Sequence, residues 1–470
     1  MLNAKEITVE NNFIISAVMT IFSKDRVLFD YQSILIYGKD LTDVLPPPHA
    51  LCVVFPQDKN ELVSLVHFAN EHRLSLVPSG GRTGYSGGAV AKQNDIIVSF
   101  EKMNHIVDFN AADKTLHCEA GVTLKAIQDY AKQLDLFYPV DFASAAECQI
   151  GGNIATNAGG LHVIRYGSTR QWVMGLTVIT GRGDILGCNK GLVKNATGYD
   201  FRHLFIGSEG TLGFITHAIL KLTALPKKTK VILFSVSNNQ AITILLSVLQ
   251  QAVSLIAFEF FCHTAMQCVM QAEQIAFPFQ KNTDFYGLFE YESDDTVDLI
   301  IEKILQDQLN KNNISEILMS HHEKEANHLW RYRKGISRSL KKYFPYKFDL
   351  AVLPSTIFSF MRAAADLLRN KYAALETVWF GHVGDGNLHV NVLKPETVSE
   401  KDFAVRCAEI SETIYAVIQH FNGSICAEHG VGLLKKPYLH YSKSDSEIQY
   451  MRGIKNIFDP NHVMNPGKLI

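Results

Sequence analysis

The chain has 470 residues, 47% of them apolar and 20% charged, and its 45 Lys and Arg against 47 Asp and Glu give a formal charge of −2. At roughly 150 residues per domain this length implies about three domains, or two with one interrupted by an insertion. The apolar fraction excludes a disordered chain, and the near-neutral balance with no basic tract argues against nucleic acid as the main ligand.

Near the start, the longest uncharged run, Phe13 to Phe22, is too short to span a bilayer, and Glu6 and Glu10 before it are unlike the basic opening of a signal peptide. The eight cysteines (52, 118, 148, 188, 262, 268, 407, 426) are scattered with no C-x-x-C pair. Neither a zinc knuckle nor a disulfide frame is written, and the chain reads as a reduced, cytoplasmic one with no transmembrane segment. Next, "ALCVVFP" (50–56) predicts a strand closed by Pro56, and "DKNELVSLVHFANEHR" (58–73) sets Leu62, Val63, Val66, Phe68 and Ala69 at helical spacing. "LSLVP" (74–78) predicts a second strand, "SGGRTGYSGGA" (79–89) a loop and "DIIVSFEKM" (95–103) a third strand. This is a β-α-β unit with a glycine loop at the carboxyl end of a strand, where open α/β sheets bind ligands.

Glycine is unevenly spread: five fall between Gly80 and Gly88, four between Gly151 and Gly160, and three between Gly207 and Gly213. Backbone N–H groups freed of side chains can surround a pyrophosphate, which is why phosphate loops are glycine-rich. None of the segments is the dinucleotide fingerprint G-x-G-x-x-G, and no P-loop occurs, so a plain Rossmann or P-loop reading is excluded by spacing. The third segment, "NATGYDFRHLFIGSEGTLGFIT", couples its glycines to a carboxylate, Glu209.

After Pro226 the character changes. Strands such as "VILFSVS", "DFYGLFEYES" and "YKFDLAVLP" alternate with amphipathic helices such as "AITILLSVLQQAV", "DLIIEKILQDQLNK" and "STIFSFMRAAADLLRNKY" through about residue 420. That pattern suits an α+β domain with an antiparallel sheet covered by helices. "WFGHVGDGNLHVNVL" then predicts two strands across a glycine turn, with His389 and Asn391 facing one side and His382 able to converge on them. Some forty residues on, "GSICAEHGVG" places Glu428 and His429 side by side on a glycine-flanked loop. Two His and a carboxylate form the ligand set of an open catalytic site for zinc or a similar divalent metal. The ending, "FDPNHVMNPGKLI", needs packing or a ligand to order it.

The three glycine segments, in order from about Ala50 to Pro226, resemble the flavin-binding signatures of the FAD-linked oxidase family with the vanillyl-alcohol-oxidase-type fold. The resemblance implies that Pro78, Ser79, Gly80, Gly81, Arg82, Thr83, Gly84 and Gly87 form the loop that cradles the FAD pyrophosphate. It places Cys148, Gly151, Gly152, Asn153, Thr156, Asn157 and Ala158, then Glu209, Gly210 and Ile215, along the flavin, with Asn465 of the terminal "NPGKLI" as a further FAD contact. Arg82 stands where many relatives have Asn, and an Arg there either pairs with a phosphate or lies along the surface. The first loop lacks the His or Cys to which some members attach the flavin, which implies non-covalent FAD; Cys148 is the alternative.

"GHVGDGNLH" and "EHGVG" resemble the signatures of the D-2-hydroxy-acid dehydrogenase branch of that family. By resemblance His382, His389 and Glu428 bind the metal, His429 is the catalytic base and Asn391 contacts substrate. In "LWRYRKGISRSLKKYFPYKFDLAVLP", the pieces "WRYRKGIS" and "YKFDLAVLP" resemble the substrate-carboxylate segments, which singles out Arg333, Ser337 and Lys347 and leaves the rest of the run on the surface. The Ala before Glu428 resembles the hydroxyglutarate group, so the expected reaction is D-2-hydroxyglutarate to 2-oxoglutarate by hydride transfer to FAD. D-lactate, D-malate or glycolate as substrate, and a non-catalytic FAD-binding oxidase subunit, are the alternatives. A metal-dependent hydrolase without flavin would leave the glycine segments unexplained.

The family plan implies an α+β chain: an N-terminal helical segment (1–45), an FAD-binding domain (46–226), an inserted substrate domain (227–420), and a terminal segment (421–470) that returns to the FAD domain. It also implies a small 2-hydroxy acid as substrate, an electron-transfer flavoprotein or a quinone as electron acceptor, and a homodimer.

Overall fold

The structure, a computed structural model, describes residues 9–42, 44–372 and 375–470, so the expected N-terminal segment lies partly outside the described residues. Its described part forms the helices Val9–Ile21 and Tyr31–Tyr37 and also an edge strand, β1 (Val27–Leu28). β1 pairs antiparallel with β2 (Ala50–Val54), while β2 and β3 (Leu76–Ser79) both run parallel to β4 (Asp95–Ser99), giving the order β1-β2-β4-β3. The crossover helix Lys59–His72 begins where the Asp58 side chain accepts from the N–H groups of Asn60 and Glu61. Leu62, Leu65, Val66 and Ala69, spaced i, i+3, i+4 and i+7, bury one face of that helix against the sheet. The first glycine loop leaves the carboxyl end of β3.

A second sheet is antiparallel throughout. Its strands come from β5 (Ile106–Asn110), β6 (Thr115–Glu119), β8 (Val173–Thr180), β9 (Ile185–Cys188) and β10 (Gly213–Lys221), in the order β5-β6-β10-β8-β9. The short β7 (Leu136–Phe137) and β11 (Thr223–Ala224) form a separate ribbon. The helix Ile150–Thr156, which carries the second glycine cluster, packs Ile150 and Ile154 into the core with Ile215 of β10.

The third sheet has seven antiparallel strands: β12 (Thr229–Val236), β13 (Leu255–Cys262), β14 (Phe285–Glu292), β15 (Ile314–Met319), β16 (Tyr346–Ala351), β17 (Thr377–His382) and β18 (Asn387–Val392). They are ordered β15-β12-β14-β13-β17-β18-β16. One face is sealed by helices that include Gln240–Ala252, Ile357–Lys371 and Glu400–His420, over Phe258, Phe260, Phe348, Leu350 and Val390. Alternation along the strands turns Phe261, Val378 and Phe380 to the other face, against the helices His263–Glu273 and Glu323–Lys334. The same alternation gives that inner face Glu259, Lys347, Asp349, His382, His389 and Asn391. This is the expected α+β layout, an antiparallel sheet covered by helices.

The chain's end is tied down by packing. Leu76 of β3 donates its N–H to the Val463 carbonyl at 2.7 Å and accepts from the Asn465 N–H at 2.8 Å, while the buried Lys455 ammonium reaches Asp459 at 2.7 Å and the Thr211 carbonyl at 2.8 Å. All eight cysteines are unpaired thiols.

Candidate active site

A cavity of about 560 Å³ lies between the glycine segments and the inner face of the third sheet. Its glycines are of two kinds. A side chain at Gly81 would start 2.1 Å from the Glu147 carbonyl oxygen, and one at Gly151 would start 2.7 Å from the Ala120 Cβ, so these are glycines because chain packs on chain. At Gly152 an added Cβ meets nothing within 4 Å, and at Gly80, Gly84 and Gly88 its nearest neighbours lie 3.4 to 3.8 Å away. These four border the cavity and leave a cradle that side chains would fill, which is what a pyrophosphate and a flat ring require of a protein wall. The residues fit FAD.

Of the residues expected at the flavin, Pro78, Gly80 to Gly84, Cys148, Gly151 to Asn153, Thr156, Ala158, Glu209, Gly210 and Ile215 border the cavity. Four stand behind its wall instead. The Ser79 hydroxyl is buried and donates to the Tyr37 carbonyl at 2.7 Å. Gly87 donates its N–H to Asp40 Oδ2 at 2.8 Å. Asn157 ends its helix in the left-handed region, and its Oδ1 accepts from the Arg170 N–H and the Ser168 hydroxyl, each at 3.0 Å. Asn465 Nδ2 donates to the carbonyls of Gly88 (2.9 Å) and Glu209 (2.7 Å), stitching the first and third glycine segments together. Arg82 folds back onto its own loop: its guanidinium pairs with Glu101 at 3.1 Å, donates to the Gly80 carbonyl at 3.0 Å and lies 4.6 Å over the Tyr37 ring. Burial pushes the Cys148 thiol up to about 11, which keeps it protonated near neutral pH.

Opposite the glycines, strand register assembles a second group. Glu259 pairs across the sheet with His382, His389 is flanked by Phe380 and Asp349, and Asn391 lies opposite Lys347. The loop after the helix Glu400–His420 joins β16 through an Ala351–Ser424 bridge and lays Glu428 and His429 over that face. Glu428 Oε1 lies 3.4 Å from His389 Nε2, 4.0 Å from His382 Nε2 and 3.9 Å from His429 Nε2. Donor atoms on a tetrahedral zinc ion stand roughly 3.4 Å apart, so these spacings fit a divalent cation with little movement. Glu428 Oε2 accepts from the Gly160 N–H at 3.1 Å, which joins this group to the second glycine segment.

Among the described residues, Asp349, His389, Glu428 and His429 form a group whose metal-ligating atoms all lie within 4.8 Å of one another, a group that leaves out His382 of the expected set. Asp349 nevertheless faces the Nδ1 edges of His389 and His429, at 3.8 Å each, while Glu428 faces their Nε2 edges. Asp349 Oδ2 accepts from the N–H groups of Glu428 (2.9 Å) and His429 (2.8 Å), and Lys435 Nζ stands 3.7 Å away. Burial would raise the Asp349 carboxyl, but His429, Lys435 and His389 outweigh it and hold the group below the usual carboxylate range. Burial depresses the His389 imidazole well below its usual range despite the opposing Asp349 carboxylate, so this ring is neutral. At His382 burial is outweighed by Glu259, 2.7 Å from Nδ1, and the imidazole is raised to about 9.

Arg333 is buried, with Nε 2.7 Å from Glu259 Oε2 and its guanidinium 5.1 Å over the Phe380 ring. Lys347 Nζ lies 4.2 Å over the Tyr85 ring, and Tyr85 in turn lies 5.3 Å from the His429 ring. Ser337 borders the cavity at its exposed edge. Arg331 is on the surface as expected, paired with Glu273, but Lys334 and Arg338 also border the cavity because they share the exposed side of that helical turn. Sequence reasoning missed Glu259, Asp349, Tyr85 and Lys435. The signal for the first two was a lone acid inside an apolar strand, "LIAFEFFC" and "YKFDLAVLP".

The chain matches the family models described as FAD binding domain over residues 50–189 and FAD linked oxidases, C-terminal domain over residues 225–469. A D-2-hydroxyglutarate dehydrogenase of Stutzerimonas stutzeri (strain A1501) is 42% identical over 460 residues, 97% of this chain and 98% of that one. A protein of the same name from Xanthomonas citri pv. viticola is 43% identical over 434 residues, 92% of each chain. Among solved structures, p-cresol methylhydroxylase superposes with a TM-score of 0.77 at 16% identity, covering 99% of this chain and 98% of that one. Alkyldihydroxyacetonephosphate synthase does so with a TM-score of 0.71 at 17% identity, covering 99% and 87%. The fold is of the vanillyl-alcohol-oxidase type. Among the described residues no helix is long and apolar enough to cross a membrane.

Proposed function

The chain belongs to the FAD-linked oxidase family, and on that premise we propose that it oxidises D-2-hydroxyglutarate to 2-oxoglutarate, using non-covalent FAD and a divalent cation held by His382, His389 and Glu428. One observation carries this reading: Glu428 Oε1 converges with three imidazole Nε2 atoms on one wall of the cavity whose other wall holds Gly152 and Asn153. The mixed nitrogen and oxygen donors favour zinc. The names of the bacterial relatives support the substrate.

Held by the glycine segments, FAD would supply a hydride acceptor, and a cation on His382, His389 and Glu428 would supply Lewis acidity toward the substrate hydroxyl. His429 accepts the hydroxyl proton at Nε2. Its place is set by the Asp349 bond to its N–H, by the Ser86 hydroxyl donating to its carbonyl at 3.0 Å, and by the stack on His389 with ring centres 5.7 Å apart. Arg333 Nη2, buried with no hydrogen-bond partner among the described residues, offers a donor to a substrate carboxylate. Lys347 and Asn391, opposite each other on β16 and β18, supply cation and amide to a second one, with Ser337 at the rim.

In this reading residues 46–226 and 421–470 hold the flavin and 227–420 hold the substrate. The electron acceptor in this reading is an electron-transfer flavoprotein or a quinone. The chain acts as a homodimer in the cytoplasm, a setting that eight free thiols suit. A panel of D- and L-2-hydroxy acids tests the reading through the visible spectrum of the purified yellow protein, followed by turnover with a dye acceptor. D-2-hydroxyglutarate should bleach the flavin fastest, and a flavin that no D-2-hydroxy acid bleaches would overturn it.

A further inference from the structure

The carboxylate of Glu259 is fully buried in the middle of the apolar strand β13, where an ionised group persists only if its surroundings hold it. Its two oxygens are divided between two partners that the sequence places far apart. Oε1 lies 2.7 Å from His382 Nδ1, and Oε2 lies 2.7 Å from Arg333 Nε. His382 comes from the facing strand β17, directly across the ladder, and Arg333 from the helix Glu323–Lys334 packed on the same face.

Each partner uses one edge on Glu259 and turns the other to the cavity. With Nδ1–H donated to Oε1, the His382 ring must present a bare Nε2 whenever it is neutral, and that atom is 4.0 Å from Glu428 Oε1. With Nε in a 2.7 Å ion pair with Oε2, the Arg333 guanidinium is anchored by charge over the Phe380 ring, and its buried Nη2 has no hydrogen-bond partner among the described residues. Both partners turn N–H groups toward residue 259, so its two side-chain termini have to meet one hydrogen bond from His382 and one ion pair with Arg333. A carboxylate does so, while the isosteric Gln supplies one acceptor and one NH₂ that would confront a donor.

We infer that Glu259 is a positioning residue that sets a metal ligand and the substrate-binding cation together, so that the cation site and the carboxylate site are ordered by one buried group. This rests on the proposed oxidation of a 2-hydroxy acid at a metal site. It adds that the two halves of substrate recognition are not independent: disturbing residue 259 must weaken both.

The test uses the FAD-loaded full-length protein and Glu259→Gln. Zn²⁺ binding is measured by competition with a chromophoric chelator, and KM and kcat for D-2-hydroxyglutarate are then taken at saturating Zn²⁺. A variant that keeps its flavin spectrum and cooperative melting should bind Zn²⁺ about 10–100-fold more weakly, the usual cost of losing a carboxylate behind a metal-bound imidazole. Once the metal is restored, it should still show a raised KM from the released Arg333. A merely structural role would lower melting temperature without moving either quantity, and unchanged Zn²⁺ affinity or unchanged KM overturns the inference.

Should the Gln variant fail to fold, Glu259→Asp decides. One methylene shorter, it keeps both acceptors but reaches one partner, so it should disturb either metal binding or KM, and it overturns the inference if it disturbs neither. Failure of the underlying reading has a separate signature: a wild-type protein that binds no Zn²⁺, or whose flavin no D-2-hydroxy acid bleaches. An active, Zn²⁺-binding wild type beside an indistinguishable Glu259→Gln sinks this inference alone.

Discussion

One oxygen of Asp349 holds the residue proposed as the base: Oδ2 accepts the backbone N–H of His429 at 2.8 Å while also accepting that of Glu428 at 2.9 Å. A buried acid in β16 thus fixes a loop nearly eighty residues away. Asp349→Ala would leave two N–H groups, Lys435 and Asn387 Nδ2 facing an empty site, and breaking a buried charge pair in this way costs about 3–5 kcal/mol. Asp349→Asn should lose less, because it keeps the volume and one acceptor. The sign of the pH effect follows from the lowered carboxyl. Stability supplied by the ionised group is complete above the unfolded-state value of about 3.9 and is lost as pH falls below it toward the folded-state value. Urea unfolding should therefore show wild type losing stability more steeply than Asp349→Asn below about pH 4. Parallel curves for the two proteins would remove Asp349 from this role.

The two kinds of glycine make a paired prediction. Gly152→Val places its side chain where nothing stands within 4 Å, so the protein should fold as wild type yet lose FAD affinity by about 10–100-fold, the equivalent of overpacking by 1–3 kcal/mol. Gly151→Ala drives a methyl to 2.7 Å from the Ala120 Cβ and should lower stability by a similar 1–3 kcal/mol whether or not flavin is present. Flavin fluorescence titration and thermal melts separate the two effects. Wild-type flavin affinity in Gly152→Val would move the ring away from this wall.

How much of this was legible in the sequence depended on the range of the interaction. The crossover helix, the glycine loop after β3 and the hairpin of His382 and His389 follow from local period and turn residues. Pro78 to Gly84 likewise border the cavity, apart from Ser79, whose hydroxyl turns to Tyr37 because strand alternation carries it to the scaffold side. The resemblance alone makes Asn157 and Asn465 flavin contacts; the Asn157 side-chain carbonyl and the Asn465 amide nitrogen bond to backbone groups of neighbouring segments, a pairing no local pattern specifies. Glu259 and Asp349 were out of reach for another reason. Their partners are set by cross-strand register over intervals such as Glu259 to His382, 123 residues, which no window of one sequence specifies.

Metal removal and pH meet at His382. Without a cation the imidazole is raised to about 9 by Glu259 against the effect of burial. The stability of that pair is complete below the unfolded value of about 6.5 and is lost as pH rises through 9. A metal ion must displace the proton, so Zn²⁺ affinity should climb roughly tenfold per pH unit and level off above about pH 9. Chelator titrations from pH 6.5 to 9.5 check this, and an affinity that is flat over that range would exclude His382 as a ligand. The same chelator should abolish bleaching by D-2-hydroxyglutarate while the flavin stays bound, since no glycine segment residue is among the metal ligands.

His429→Ala isolates the proton transfer. The ring is partly exposed to the cavity, and its removal leaves the Asp349 bond to its N–H and the Ser86 bond to its carbonyl in place, so the loop and the metal ligands should keep their positions. The bound flavin spectrum and Zn²⁺ affinity should therefore be those of wild type. Bleaching by D-2-hydroxyglutarate in a stopped-flow experiment should slow by about 10²–10⁴, the usual contribution of a positioned general base. Because the lost group is a base, the residual rate should rise with pH as solvent hydroxide takes over the proton, and added imidazole should restore part of it through the space the side chain leaves. A variant that bleaches at the wild-type rate would assign the proton to another group. The imidazole nearest to it is His389, stacked on the same ring at 5.7 Å, and its Nε2 is already directed at Glu428.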